Sequence, residues 1–545
     1  PLSEVVLFLL LGALILLVAV GLRRTELTER SVLGLFTFLA LLGPATSYPR
    51  VHWVAGVVLA AGAARLLAPL AGRLTVGRWA RPVTGVAVAS VLLLAGGLAA
   101  TRLVAGLRAG DDAVRPDGDT PNVVLIVLDT VRSDDLGLYG YPLPTTPVLD
   151  ALGREGVVFE RAYSTAPWTL PAHAALFTGQ YPSDSPADWE TGLGDADPTL
   201  AEWFGGRGYS TGGFIGNLIY LTREMGVQRG FQRYEDYPVS WRMVVNSSIL
   251  GRRIALSAMR LTGSDQRLVY KSATSLRERV LGWVDTRDEP FFAFLNFMDA
   301  HAPYLPPPEF ASGFGPERVG PAMADLSEKS DWTEAELRAE RAAYDGSIAY
   351  VDAEIGRILD GLRERGILDE TLVIVTSDHG EQFGEKGLVD HGNSLYRTVL
   401  EVPLILRYPE DVPAGLRVRR PVTIRDVPAT IADLLSADAP FPGVSLAAFW
   451  NVEEEELAGS TSPVLAQVTS GVRMPDWTPV ARGDMASVIA EGAQYIRNGD
   501  GIEELYALDD RAQVTDLSDS DPQRLSRLRA LADSLVTRGG TENRQ

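Results

Sequence analysis

The chain has 545 residues, 46% hydrophobic and 22% charged, with a formal net charge of −20. That acidity excludes a nonspecific nucleic-acid binder, which needs an excess of Lys and Arg against phosphate. There is no cysteine, so disulfides, thiolate metal centres and a cysteine nucleophile are excluded, and a metal must be held by carboxylate, imidazole or hydroxyl groups.

In chain order, residues 5 to 22 form an uncharged apolar run long enough to cross a bilayer as a helix. Similar runs lie near 32 to 48, 51 to 70 and 82 to 101, the third carrying Arg65, which must face the bundle or snorkel. These lengths predict about four transmembrane helices over residues 1–102, whereas a cleaved signal peptide accounts for the first run alone. Arg23, Arg24 and Arg30 follow the first span and Arg73, Arg78 and Arg81 the third, while the loop between the second and third has Arg50 alone. The positive-inside rule puts the two basic loops in the cytoplasm and everything after about residue 103 on the extracytoplasmic side of the cell membrane. Because the chain starts at Pro1, a further segment upstream is an open expectation. Residues 103–120 read as a polar linker punctuated by Pro116 and Gly118.

From Asn122 onward, short β-branched runs alternate with longer amphipathic stretches, the pattern of a layered α/β fold with a largely parallel sheet. Three runs share a feature. Val123 to Leu128 ends in Asp129, Phe291 to Phe297 is followed by Asp299 and His301, and Leu372 to Thr376 leads to Asp378 and His379. Ligands of open α/β sheets bind beyond the carboxyl ends of the strands, so the three runs are expected to gather carboxylates and imidazoles into one crevice. Histidine placement agrees: of five, His52 lies at the membrane boundary, and His173, His301, His379 and His391 follow strands or start a helix. In the segment Ala166 to Gly179, Thr169 stands just before a predicted helix with Pro171 in its first turn, where free N–H groups and the positive dipole end favour an anion. Taken alone, Thr169 as a simple N-cap explains that segment as well. Between 241 and 263, Arg242, Arg252, Arg253 and Arg260 stand among Met243, Leu250, Ile254 and Leu261 with no acidic residue. That pattern suits either a helix on anionic lipid or one packed on the core.

Several segments together resemble the sulfatase family of the alkaline-phosphatase-like superfamily. They are Asn122 to Gly140, Thr146 to Asp150, Gly156 to Tyr163, Phe291 to Tyr304, Tyr344-Asp345 with Asp352, Ser377 to Glu381, His391-Gly392, Val402 to Leu404, Gly443 to Leu446 and Glu504 to Tyr506. The match runs in order over residues 121 to 516, which a single short pattern cannot do. It implies a large mixed sheet between helices, with a smaller C-terminal sheet and helix, and divides the chain into a catalytic domain at 121–450 and a C-terminal subdomain and tail at 451–545. Two departures bear on the chemistry. Thr169 stands where sulfatases carry the Cys or Ser that becomes formylglycine, and His173 stands where they carry Arg, so no formylglycine is expected. Asp129-Thr130 replaces a pair of aspartates. A threonine nucleophile followed by Asp-His is similar to the membrane-anchored phosphoglycerol and phosphoethanolamine transferases of the superfamily.

Carried over by position, the resemblance implies a metal site of Asp129, Thr169, Asp378 and His379, with Thr169 also the nucleophile. Nitrogen and oxygen donors suit Zn²⁺ first, with Mn²⁺, Mg²⁺ and Ca²⁺ as alternatives. His301 and His391 match the family's substrate-contacting histidines and are candidates for binding a nonbridging oxygen, protonating the leaving group or holding a second metal. His173 is expected to touch the anion or to orient Thr169, and Arg132, Asp134 and Asp135 to be surface or helix-capping residues. Three functions fit: hydrolysis or transfer of a phosphoester through a phosphothreonine, hydrolysis of a sulfuric ester without formylglycine, or an anchored, inactive anion- or glycan-binding domain. The expected partners are the bilayer and an anionic ester on a lipid or envelope glycopolymer.

Overall fold

The three hydrophobic runs lie side by side. β1 (Asn122–Leu128) pairs in parallel with β5 (Phe291–Phe297) on one side and β6 (Thr371–Thr376) on the other. Around them, β2 (Val157–Tyr163), β3 (Ser210–Ile215), β4 (Arg233–Glu235), β9 (Glu401–Arg407) and β10 (Leu416–Thr423) complete an eight-stranded sheet of order β10-β2-β9-β6-β1-β5-β3-β4. Only β9 opposes its neighbours β2 and β6, which makes the sheet mixed as the family resemblance implies.

The computed structural model describes residues 120–236, 270–320, 322–323, 325–438, 440–451, 463–471 and 474–542. The four predicted spans, the linker up to 119 and the Arg-rich stretch 241–263 lie outside them. Among the described residues no helix is long and apolar enough to cross a membrane.

Why the central strands are unbroken hydrophobic runs follows from their burial on both faces. Val123, Leu125 and Val127 of β1 pack with Leu170, Leu176 and Phe177 of α2 (Thr169–Thr178), which comes after α1 (Pro147–Arg154). Val124, Ile126 and Leu128 meet the other layer, Leu276 and Val280 of α3 (Ala273–Val284) with Ile348 and Ile355 of α4 (Glu334–Glu364). The long α4 begins in a capping box, the Thr333 hydroxyl accepting from the Glu336 N–H while the Glu336 carboxylate accepts from the Thr333 N–H.

A second sheet is an antiparallel meander of β11 (Val464–Val468), β12 (Met485–Ala490), β13 (Ala493–Arg497) and β14 (Glu503–Ala507). The period of two divides its side chains. Leu465, Val488, Tyr495 and Leu505 pack under Leu528 and Ala532 of α5 (Pro522–Glu542), while Ala466, Ile489, Ile496 and Tyr506 join the core of the large sheet. A short ribbon, β7 (Gln382–Phe383) with β8 (Val389–Asp390), stands beyond the end of β6.

The surface or capping role expected of Arg132 and Asp135 is corrected here, while Asp134 stays partly at the surface and caps nothing. Arg132 is 3% and Asp135 0% exposed, and the 3₁₀ turn Ser133–Asp135 has no side-chain cap. Arg132 Nε lies 2.6 Å from Asp135 and its Nη1 2.7 Å from Glu385, while Arg341 also pairs with Asp135. Asp134 is 24% exposed and pairs with Arg397 and Arg511. Buried charge is tolerated because each group finds an opposite one. Glu385, Arg341, Arg397 and Arg511 come from parts of the chain far from residues 132–135, Arg341 from within α4, which no local pattern reveals.

Candidate active site

Registered parallel pairing aligns Val127 of β1 with Thr376 of β6, and Leu128 with Phe297 of β5, so the carboxyl ends of the strands open at one edge. The chain turns there through Thr130, whose φ of 65° is rare for a non-glycine residue. Its N–H donates to Asp378 Oδ1 at 3.2 Å and its hydroxyl lies 2.8 Å from Ala300 O, so it ties the exits of β1, β6 and β5 together.

Asp129, Asp378 and His379 are completely buried and Thr169 is 1% exposed. Asp129 Oδ2 accepts from the side-chain amides of Asn217 (2.9 Å) and Asn296 (3.3 Å), and Asp378 Oδ1 accepts from the N–H groups of Thr130 and His379. The other oxygen of each, Asp129 Oδ1 and Asp378 Oδ2, has no hydrogen-bond partner. His379 Nδ1 lies 3.0 Å from Gly380 O, and since a carbonyl only accepts, Nδ1 carries the proton and Nε2 presents a lone pair. That lone pair is 3.4 Å from Asp378 Oδ2, 4.0 Å from Asp129 Oδ1 and 3.5 Å from the Thr169 hydroxyl.

Two bare carboxylate oxygens and an imidazole lone pair in a dry interior are costly without a cation. The titration behaviour reflects this: burial, then the Asp129 charge, pushes the Asp378 carboxyl well above the usual range, and burial, then the neighbouring His391, holds His379 well below its ordinary value. Asp129, Asp378 and His379 offer ligand atoms all within 4.8 Å of one another, so the donors fit one divalent metal.

Thr169 is the first residue of α2, not its N-cap; Trp168 occupies the N-cap position and makes no side-chain capping bond. This removes the simple capping explanation of the threonine. His173, one turn on and fully buried, places Nδ1 2.8 Å from Thr169 O and 3.5 Å from Asp378 Oδ2, and its Nε2 has no hydrogen-bond partner. A carbonyl partner assigns the proton to Nδ1, leaving on Nε2 a lone pair that does not suit an anion. The geometry therefore favours orienting Thr169 over touching the substrate.

Beside the triad, the His391 ring is 4.5 Å from that of His379 and 4.9 Å from that of His301. His391 Nδ1 lies 3.3 Å from Glu381 and 3.0 Å from Asp390. Burial opposes charge on this imidazole, but the two carboxylates outweigh it and hold its pKa well above the ordinary value. His301 Nδ1 is engaged by Ala302 O at 2.7 Å. Asp299, released by the same strand, does not join the group: its carboxyl is buried, which raises its pKa to about 7, and it responds to Ala273 and Glu354 on the helical side.

Sequence reasoning missed Asn217, Asn296, Glu381 and Asp390, and also an aromatic wall. Trp168 stacks on Trp189 with centroids 3.8 Å apart, and Tyr220 meets Trp168 edge-on. Gly392, at φ 72°, donates its N–H to Pro167 O, and a Cβ there would come within 3.1 Å of Trp189. That close approach accounts for the glycine after His391. Asn217 had a signal, because it follows β3 as Asp129 follows β1.

An α/β sheet with acids, imidazoles and a hydroxyl converging at its carboxyl edge defines a metal-assisted ester hydrolase or transferase. The family model described as Sulfatase matches residues 121–437, and the chain belongs to the sulfatase family. An arylsulfatase of Clostridium perfringens is 26% identical over 371 residues, covering 59% of this chain and 76% of the relative. Arylsulfatase A of Homo sapiens is 28% identical over 367 residues, covering 64% and 69%. The crystal structure of a phosphonate monoester hydrolase of Agrobacterium radiobacter superposes with a TM-score of 0.60 at 22% identity, over 77% of this chain and 96% of the other, a likeness of fold. The chain is a sulfatase-like hydrolase.

Proposed function

We propose that the chain is a membrane-anchored, metal-dependent hydrolase or transferase of phosphoesters that works through Thr169. The observation that carries this is the Thr169 hydroxyl, at the first position of α2, 3.5 Å from His379 Nε2, which itself lies 3.4 Å and 4.0 Å from the bare oxygens of Asp378 and Asp129. Asp129, Asp378, His379 and the Thr169 oxygen would hold a divalent cation, which would supply Lewis acidity to a neighbouring hydroxyl and to the ester. Thr169 Oγ1, its proton released to solvent, attacks phosphorus; the bond to the ester oxygen breaks, and that oxygen takes a proton from His391 or His301. Water or an acceptor alcohol then attacks phosphorus, its proton passing back to the same histidine, and the bond from phosphorus to Thr169 Oγ1 breaks. The free N–H groups at the start of α2 favour the anion throughout. His173 orients Thr169 through its carbonyl. Zn²⁺ is the first choice for the cation.

A sulfuric ester as the substrate is the second reading, favoured by the arylsulfatases among the relatives. Metal-loaded protein assayed on aryl phosphate, aryl phosphodiester and aryl sulfate separates the two. The expected result is faster turnover of a phosphorus ester, and a clear preference for the sulfate would reverse the assignment.

The membrane anchor and the extracytoplasmic placement belong to the same proposal and rest on the apolar runs and Arg-rich loops of residues 1–102. An alkaline-phosphatase reporter is expected to be active when fused at Gly118 and silent at Gly77. The opposite pattern would invert the topology.

A further inference from the structure

The large sheet and its loops supply every residue of the catalytic group, which leaves the second sheet without a part in the chemistry. Its contacts assign one. Gln494 of β13 donates from Nε2 to Leu395 O at 2.8 Å, and Gln513, just past β14, accepts the Arg397 N–H on Oε1 at 2.9 Å. The two side chains join each other, Gln513 Nε2 to Gln494 Oε1 at 2.9 Å, and are 4% and 2% exposed. At the other end, Lys386, in the tip of the β7–β8 ribbon, donates to the Tyr506 hydroxyl at 3.0 Å and to Gln513 O. The stretch between these grips carries Asp390 and His391. None of the gripping side chains touches Asp129, Thr169, Asp378 or His379.

We infer that the second sheet is a positioning device for His391, with Gln513 its central residue and Gln494 and Lys386 its two arms. A loop-borne imidazole acts on an ester only if held to within a fraction of an ångström, and misplacement by about 1 Å can cost on the order of 10²-fold in rate. Glu381 and Asp390 fix the ring, but Asp390 rides on the same ribbon, so the ribbon must itself be fixed. The grip is made by amides and one amine with buried partners, groups that leave unsatisfied atoms behind if removed.

This inference rests on the reading that His391 acts on the ester, and a double-mutant cycle in the full chain tests the two separately. Gln513→Met keeps length and removes both hydrogen bonds. It is expected to lower kcat about 10- to 100-fold in the wild-type background, with divalent-metal content unchanged, and less than about twofold in a His391→Ala background. Gln513→Glu, which keeps the acceptor for Arg397 N–H, should recover part of the loss. Equal losses in both backgrounds, or no loss in the first, would overturn the positioning role while leaving His391 in place. Full turnover by His391→Ala alone would overturn the role of His391 and this inference with it. Where Gln513→Met does not fold, Lys386→Met, at the other arm, enters the same cycle and is read by the same outcomes.

Discussion

His379→Ala and Asp378→Asn are expected to purify with little divalent metal and to lose turnover on the order of 10³-fold or more, with partial recovery in excess metal. Lewis-acid assistance supplies several kcal/mol to an ester reaction, and each 1.36 kcal/mol is a factor of ten in rate. The structure makes these two positions the sensitive ones. Asp378 Oδ2 and His379 Nε2 are buried and lie 3.4 Å apart; Asp378 Oδ2 has no hydrogen-bond partner, and His379 Nε2 meets only the Thr169 hydroxyl at 3.5 Å. His379→Ala removes a nitrogen donor outright. Asp378→Asn keeps the shape but cancels one of two negative charges, and its amide can still accept from the Thr130 and His379 N–H groups, so the fold should hold. Metal analysis of purified protein beside circular dichroism checks both halves. Full metal content with lost activity would move these residues from metal binding to another role.

Thr169→Ala is the second large effect, and its pattern differs. Metal content should stay near the wild-type value because Asp129, Asp378 and His379 remain, and the fold should lose only about 1 kcal/mol for one buried hydroxyl. Turnover should fall on the order of 10³-fold or more, as removal of a covalent nucleophile does elsewhere. Excess metal should not restore it. Thr169→Ser keeps an oxygen at the same position of α2 and should retain measurable activity. Steady-state rates of the two variants, with metal content measured on the same samples, decide the matter; a metal-loaded Thr169→Ala protein with wild-type turnover would remove the threonine from the chemistry.

What could be read from the sequence follows from how each residue earns its place. β1, β5 and β6 are legible because strands buried on both faces are hydrophobic without alternation, and Asp129, His301, Asp378 and His379 are legible because they follow such strands at the edge where ligands bind. Asp299 shares that signal and turns the other way, since position after a strand fixes the edge but not the face a side chain takes. Glu381 and Asp390 are single acids without a pattern around them in the sequence; what makes them part of the site is the β7–β8 pairing that sets Gln382 opposite Asp390, a tertiary fact. Arg132 and Asp135 look like surface charge because their partners Glu385 and Arg341 lie hundreds of residues away. The helix starts at Thr169 itself, one position before the sequence pattern places it, as termini often do, and the shift matters because the hydroxyl faces His379 instead of capping the helix.

The stereochemical course at phosphorus tests the central claim, attack by Thr169, most directly. An aryl phosphate made chiral with oxygen isotopes is turned over by the metal-loaded chain, and the configuration of the product is determined. Two in-line displacements, first by the threonine and then by the acceptor, return the original configuration, so retention is the predicted result. Inversion, the outcome of a single direct attack by water or alcohol, would contradict a covalent threonine however well the residues around it are placed.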